Sequence, residues 1–348
     1  MTRAAFAVPG ALETPTGGYA YARRLLREAP GQGLDLGHVA LPGSFPVPTP
    51  THLGETEQIL ADLPAGQPLL IDGLAFGALP EALVGQITAP IVALCHHPLA
   101  LEAGLSIDMA RHLRRTETAA LAMAARVITT SHATAGILST DYGVAAERIT
   151  VAPPGTDPAP RGPGSGKGRC QILAVGSLTR RKGHDRLIAA LADLGALDWS
   201  LRIVGPESDP SVAAALRAQI KDAGLEDRIE LAGALSLPAL TAAYQSADLF
   251  VLASEYEGFG MAFAEAMSHG LPVLGLRSEA VEEATADAAQ LVRADALPDA
   301  LGALIRSPDQ RTALADRCWT AAQTLLRWPQ TAGIIARVLR DAIEAHTA

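Results

Sequence analysis

A repeated alternation most constrains what this chain can fold into. Short apolar runs, each followed by a helical stretch, come in two series separated by a segment dense in Pro and Gly. In the first series residues 4–8, 69–72, 91–95, 126–130 and 148–152 read as strands. Gly17-Gly18 opens a helix over about 19–28, and a helix rich in Arg and Ala follows over about 107–125. Strands separated by helices of roughly ten or more residues predict βαβ units and a parallel sheet. Residues 153–168 contain Gly162-Pro163-Gly164-Ser165-Gly166, a linker composition. The alternation then restarts, with strands at 171–175, 199–204, 229–231, 248–252 and 272–274, and helices at 183–194, 211–223, 238–245 and 261–268. A last helix over about 328–345 lies beyond what the second sheet needs and is expected to cross back to the first. Nothing in 38–63 has a readable pattern. The expected fold is α/β, with two Rossmann-like, doubly wound domains facing a cleft. The boundaries are 1–160, a linker at 161–168, 169–327, and a C-terminal helix at 328–348.

At 348 residues the chain exceeds what one hydrophobic core organises, which fits two domains. Its hydrophobic share is 49% and its aromatic share only 4%, so the cores must be built from Ala, Leu, Val and Ile. A formal charge of −9 gives no general attraction to nucleic acid or anionic lipid. Cys95, Cys170 and Cys318 stand far apart with no C-x-x-C pair, which suits a reducing, cytoplasmic setting and offers no zinc framework. The first residues hold too short an apolar run for a signal peptide, and no run of about 18 apolar residues predicts a membrane span.

The chemistry concentrates where strands give way to helices. Glu257 and Glu265 stand eight residues apart, one on a glycine-flanked turn after a buried strand, the other on an apolar, alanine-rich helix. In open α/β sheets ligands bind at such carboxyl-end turns. Gly258 and Gly260 let the backbone approach a ligand closely. The apolar neighbours Ala264, Ala266 and Met267 imply that Glu265 faces something polar, such as vicinal hydroxyls. Arg180-Arg181-Lys182 follows another strand and precedes Gly183, which reads as an anion site at a helix N-terminus or as a solvated basic turn. At 4 Å and an effective dielectric of 20, one such charge gains about 4 kcal/mol against a phosphate charge. Gly17-Gly18 either lets N–H groups approach a phosphate or makes an ordinary tight turn. It is not G-x-G-x-x-G, which tells against a dinucleotide. His96-His97-Pro98 ends a strand, and adjacent histidines point to opposite sides of an extended chain. No third ligand at a suitable spacing accompanies them, so no metal site is expected. Arg111, His112, Arg114 and Arg115 form a basic patch that reads as a solvated helix face, with peripheral membrane contact as the alternative.

Taken in order, these features resemble the retaining glycosyltransferases of family 4, which have the GT-B fold. The resemblance runs through Thr16-Gly17-Gly18, Val151-Ala152-Pro153-Pro154-Gly155-Thr156-Asp157, Val175-Gly176-Ser177-Leu178-Thr179-Arg180-Arg181-Lys182-Gly183 and Ile203-Val204-Gly205. It is strongest from Glu257 to Val273, which looks like "EGFGxxxxEAMAxGxPV". The resemblance implies that Lys182 holds the donor diphosphate, with Ser177 and Arg181 beside it, and that Glu265 binds ribose hydroxyls. It places Glu257 at the donor sugar with N–H groups from Gly258, Phe259, Gly260 and Met261 nearby. It sends His97 to the sugar or the acceptor hydroxyl, with His96 as fallback, and Gly17 and Gly18 to phosphate or acceptor. Catalytic roles fall on His97, Glu257 and Lys182. The sequence departs from the family at Ser177, where an arginine is usual, and at 275–282, where a Gly-rich turn is missing.

The reaction implied is metal-independent transfer of a sugar from a nucleoside diphosphate sugar, UDP weakly favoured, to a hydroxyl of a glycan, a lipid-linked or a small-molecule acceptor. No cofactor and no nucleic-acid partner are expected. A sugar-nucleotide epimerase on the same plan and a non-catalytic nucleotide-sugar-binding protein are the alternatives.

Overall fold

The computed structural model describes residues 1–64, 66–166 and 168–347. Ala65, Lys167 and Ala348, which fall within the first domain, the linker and the last helix of the sequence reading, lie outside the described residues. The chain divides into two compact units. One comprises Met1–Gly155 with Leu326–Ala348, the other Thr156–Leu325.

The first unit holds strands Thr2–Pro9 (β1), Leu34–Leu41 (β2), Leu69–Asp72 (β3), Ile91–Cys95 (β4), Arg126–Thr129 (β5) and Ile149–Val151 (β6). They form one six-stranded sheet in the order β2-β1-β3-β4-β5-β6, and every pairing is parallel. β3 and β4 are buried along their whole length, which is why they read as unbroken apolar runs. β2 is the edge strand and is buried only at its two ends, so Gly37 and His38 interrupt any alternation. That exposure is why 34–41 escaped the sequence reading. The helix Pro50–Ala61 escaped it as well. The basic patch belongs to the helix Ile107–Met123, where Arg111 pairs with Asp108 and Arg114 lies over the Tyr142 ring. The closing helix Trp328–Thr347 belongs to this unit. Trp328 packs edge-on against Tyr21 at 5.4 Å between centroids, and the Thr331 hydroxyl donates to the Pro153 carbonyl at 2.7 Å.

The second unit holds Cys170–Val175 (β7), Trp199–Val204 (β8), Ile229–Leu231 (β9), Leu249–Leu252 (β10), Val273–Leu276 (β11) and Gln290–Val292 (β12). Their order is β12-β11-β10-β7-β8-β9, again all parallel. Numbered within the unit, this is the doubly wound order 3-2-1-4-5-6. Its core has few rings but uses them centrally. Trp199, Phe250 and Phe263 are fully buried among Leu, Ile, Val and Ala. The segment read as a linker packs along this unit. Gly162 N–H donates to the His269 carbonyl, and Asp248 accepts from Ser165 and from Gln171 N–H. Among the described residues no helix is long and apolar enough to cross a membrane.

These two orders fix where each unit can bind a ligand. The strand order reverses between β1 and β3 in the first sheet and between β7 and β10 in the second. Crevices outside the carboxyl ends at such points are the binding positions of doubly wound sheets.

Candidate active site

In the second unit, the turns after β7 and β10 hold one another. Arg180–Lys182 forms a short 3-10 turn, and Gly183 then starts the helix His184–Ala192 from a left-handed conformation, φ 63°. A Cβ on Gly183 would lie 1.9 Å from the Ala253 carbonyl oxygen, so only glycine allows this approach. Glu255 N–H donates to the Arg181 carbonyl at 2.8 Å, and the Arg181 guanidinium donates to the Tyr256 carbonyl at 2.8 Å.

This brings Lys182 and Glu257 together. Lys182 Nζ lies 2.7 and 3.0 Å from the two Glu257 oxygens. Ser254 Oγ donates to Oε1 at 2.6 Å, and Arg181 stands 3.5 Å from Oε2. Glu257 is buried. Burial opposes its ionisation, but the Lys182 and Arg181 charges and the hydrogen bonds from Lys182 and Ser254 hold the carboxyl below its ordinary range. Of the two adjacent arginines, Arg181 turns to Glu257, while Arg180 is exposed. Ser177 is half-buried in the turn after β7. His184 lies 3.2 Å from the Gly176 carbonyl, and burial pushes its pKa down to about 4. It is therefore neutral at pH 7 and donates from Nε2.

Past Glu257 the chain runs through Gly258 and Phe259 to Gly260, whose φ of 109° caps the helix Met261–Ser268. Phe259 is buried against Ala264 and Ala284, with Met261 packed beside them, and this anchors the turn. Phe263, Ala264, Ala266 and Met267 point into the core, and Glu265 is part-buried between them. The Tyr244 hydroxyl, from the helix Leu237–Ser246, donates to Glu265 Oε2 at 2.9 Å. Burial raises the Glu265 carboxyl above its ordinary value. The Tyr244 hydrogen bond opposes that shift and the Asp157 charge adds to it. Sequence reading missed Tyr244, because nothing in spacing links it to a glutamate on the next helix.

In the first unit the helix Gly17–Glu28 begins at the glycine pair. A Cβ on Gly18 would sit 3.5 Å from the His96 ring, an ordinary contact. His96 Nε2 is 3.4 Å from Asp72 Oδ2, and its ring meets Tyr21 edge-on at 5.2 Å. Asp72, at the end of β3, also caps the short helix after it, accepting from Leu74 N–H at 2.8 Å. His97 turns instead to Glu102, 3.1 Å away. The structure thus brings His96, not His97, against Gly18. A second unforeseen group lies below this loop. Glu117 is 1% exposed and accepts from Leu99 N–H at 2.9 Å. Burial pushes its pKa up to about 8. Among the described residues, no three His, Cys, Asp or Glu side chains gather as a metal-binding group.

Comparison with known proteins matches this arrangement unit by unit. The family model described as glycosyl transferases group 1 matches residues 157–319, and that of glycosyltransferase family 4 matches residues 66–160. The MMP alpha-(1->4)-mannosyltransferase of Mycolicibacterium hassiacum is 29% identical over 75% of this chain and 67% of its own length. The mannosylfructose-phosphate synthase of Agrobacterium fabrum is 34% identical over 42% of this chain and 37% of its own length. The chain thus spans between about a third and two thirds of these relatives. The solved sucrose-phosphate synthase of Thermosynechococcus elongatus superposes with a TM-score of 0.81 over 99% of this chain and all of its own, at 19% identity, a likeness of fold. With two parallel sheets of this order and both family models matched in succession, the chain belongs to the family 4 glycosyltransferases of GT-B fold.

Proposed function

We propose that this protein is a retaining glycosyltransferase that moves a hexosyl group from a nucleoside diphosphate sugar to an acceptor hydroxyl, without a metal ion. The observation that carries the reading is the cluster of part-buried Lys182 and Arg181 around buried Glu257 at the point where the second sheet reverses its strand order. Lys182 and Arg181 meet the donor diphosphate and balance its charge. Glu257 accepts from hydroxyls of the donor sugar, with backbone N–H groups of 258–261 beside it. Glu265 accepts from the ribose. Gly17 and Gly18 approach phosphate or acceptor. His97 meets the sugar or the acceptor hydroxyl in the sequence reading. The contact of His96 with Gly18, and its 3.4 Å approach to Asp72, favour His96 for the same role as a second reading.

The barrier is charge separation between an oxocarbenium-like sugar and the departing diphosphate. Cations fixed before the reaction stabilise the developing negative charge without reorganising. The bond from the anomeric carbon to the phosphate oxygen breaks, and the acceptor oxygen bonds to the same face of that carbon. The acceptor proton passes to the departing phosphate oxygen. No acid pair at glycosidase spacing takes part, and Glu257 stays an ionised hydrogen-bond acceptor. The acceptor is a glycan, a lipid-linked or a small molecule. UDP is the weakly favoured nucleotide.

The test incubates purified protein with a panel of nucleotide sugars and acceptors in the presence of a chelator. Nucleoside diphosphate mannose comes first, because the names of the two relatives described above include a mannosyl group. Released nucleoside diphosphate, matched by a product with retained anomeric configuration in NMR, is expected. Tight donor binding with no product would replace the proposal with a binding module, and an epimerised donor would replace it with an epimerase. His96→Ala and His97→Ala, compared for turnover, separate the two histidine readings.

A further inference from the structure

We propose that Tyr244 is a positioning residue for the donor's ribose: its hydroxyl holds the Glu265 carboxylate in one orientation, so that the remaining lone pairs accept from vicinal hydroxyls. The inference rests on the reading of Glu265 as the ribose ligand. Tyr244 is 2% exposed and donates to Glu265 Oε2 at 2.9 Å. Its ring is clamped. It stacks on His269, with centroids 5.0 Å apart and planes 9° apart, and it tilts against Phe250 in β10 at 6.3 Å. His269 follows the helix that carries Glu265, so donor and acceptor are tied to one rigid piece.

Two physical points make this more than a satisfied core tyrosine. The terminal torsion of a glutamate is broad and has no sharp minimum of its own, so a free carboxylate samples many orientations. A single fixed donor removes that freedom before a ligand arrives, which is preorganisation. An ionised carboxylate also offers about four lone-pair positions, and Tyr244 occupies one of them. Three remain, enough for both hydroxyls of a ribose. Burial and the neighbouring Glu265 charge keep the Tyr244 hydroxyl well above its ordinary pKa, so it remains a donor across the working range. The same bond favours the ionised form of a carboxyl that burial pushes the other way.

The experiment is calorimetric binding of UDP and GDP, with the tighter of the two then compared with its 2′-deoxy and 3′-deoxy analogues. Wild type, Tyr244→Phe and Glu265→Gln are measured alongside circular dichroism and melting. Wild type is expected to prefer the ribonucleotide by about tenfold or more, the scale of a hydrogen bond to a charged group. Tyr244→Phe, which keeps the ring and removes only the hydroxyl, is expected to lower that preference by roughly threefold to tenfold. Glu265→Gln is expected to lower it at least as far. An undiminished preference in Tyr244→Phe, beside a lost one in Glu265→Gln, overturns the role of Tyr244 and leaves the ribose reading intact. An undiminished preference in Glu265→Gln overturns the ribose reading itself. Should Tyr244→Phe not fold, His269→Ala carries the same measurement, because it removes only the ring behind Tyr244. A reduced preference then supports the role, and an unchanged one overturns it.

Discussion

Two glycine turns that open a helix at the carboxyl end of a sheet, at Gly18 after β1 and at Gly183 after β7, are held in different ways. In the second unit backbone meets backbone. The Cβ-free face of Gly183 lies against the Ala253 carbonyl, and Glu255 N–H bonds to the Arg181 carbonyl. In the first unit the glycine turn meets a side chain, with Gly18 facing the His96 ring at ordinary contact distance. Backbone contacts leave no room for substitution and hold Lys182 and Glu257 to one geometry. Side-chain contacts can be replaced one at a time.

Breaking the comparison begins with Gly183→Ala. It places a methyl group against a backbone carbonyl and forces a left-handed conformation, so a loss of more than about 3 kcal/mol is expected in urea denaturation. A wild-type midpoint would show that the turn yields. Next in size is Lys182→Ala, expected to slow turnover by roughly 10²–10³, the scale for loss of one fixed transition-state donor. It also tests linkage. The Glu257 carboxyl is depressed in the folded protein, so its contribution to stability is present above the unfolded carboxylate pKa and is lost as pH falls through the folded one. In Lys182→Ala that acid-side decline should shrink. Stability profiles of the two proteins that stay parallel from pH 7 to 3 would remove the assigned cause of the depression.

In the first unit the largest expected effect lies under the loop rather than in it. Glu117 has its carboxyl raised to about 8, so the folded protein holds a proton that the unfolded chain releases near the ordinary value of 4.5. Stability from this group therefore falls as pH rises between those values and levels off above about 8. Glu117→Gln keeps an acceptor for Leu99 N–H and removes the slope. The difference between the two proteins across pH 5–8 should be on the order of 1 kcal/mol or more, read by urea denaturation. The smallest effect is that of Gly18→Ala, within about 1 kcal/mol in stability. Any loss of donor or acceptor affinity in that variant would then report the approach of a ligand to the turn. A loss as large as that of Gly183→Ala would erase the contrast between the two turns.

Much of this was legible in the chain because the relevant residues are close in sequence. β3, β4 and β10 are buried on both faces and so read as unbroken apolar runs. Glu257 and Glu265 are joined by one glycine turn and about one helical turn, because the helix starts at Met261, a spacing that keeps both near the end of β10. What escaped was set by neighbours distant in sequence. β2 is an edge strand whose middle faces solvent, and β12 is a three-residue strand that pairs only with β11. Tyr244 reaches Glu265 from another helix, and Asp72 reaches His96 from another strand. The adjacent histidines show the limit plainly. Their alternation says that they diverge, but only Gly18 and Asp72 on one side, and Glu102 on the other, say where each goes.

The sequence by itself determined two parallel sheets, the strand-end turns that carry the functional groups, and the types of those groups, because periodicity, glycine and charge act over a few residues. The tertiary structure alone decided that Lys182 closes on Glu257, that Arg181 rather than Arg180 joins it, and that Tyr244 holds Glu265. Those outcomes depend on strand order, which sets β7 beside β10 although some seventy residues of chain lie between them. Partners chosen by strand order leave no trace in local spacing.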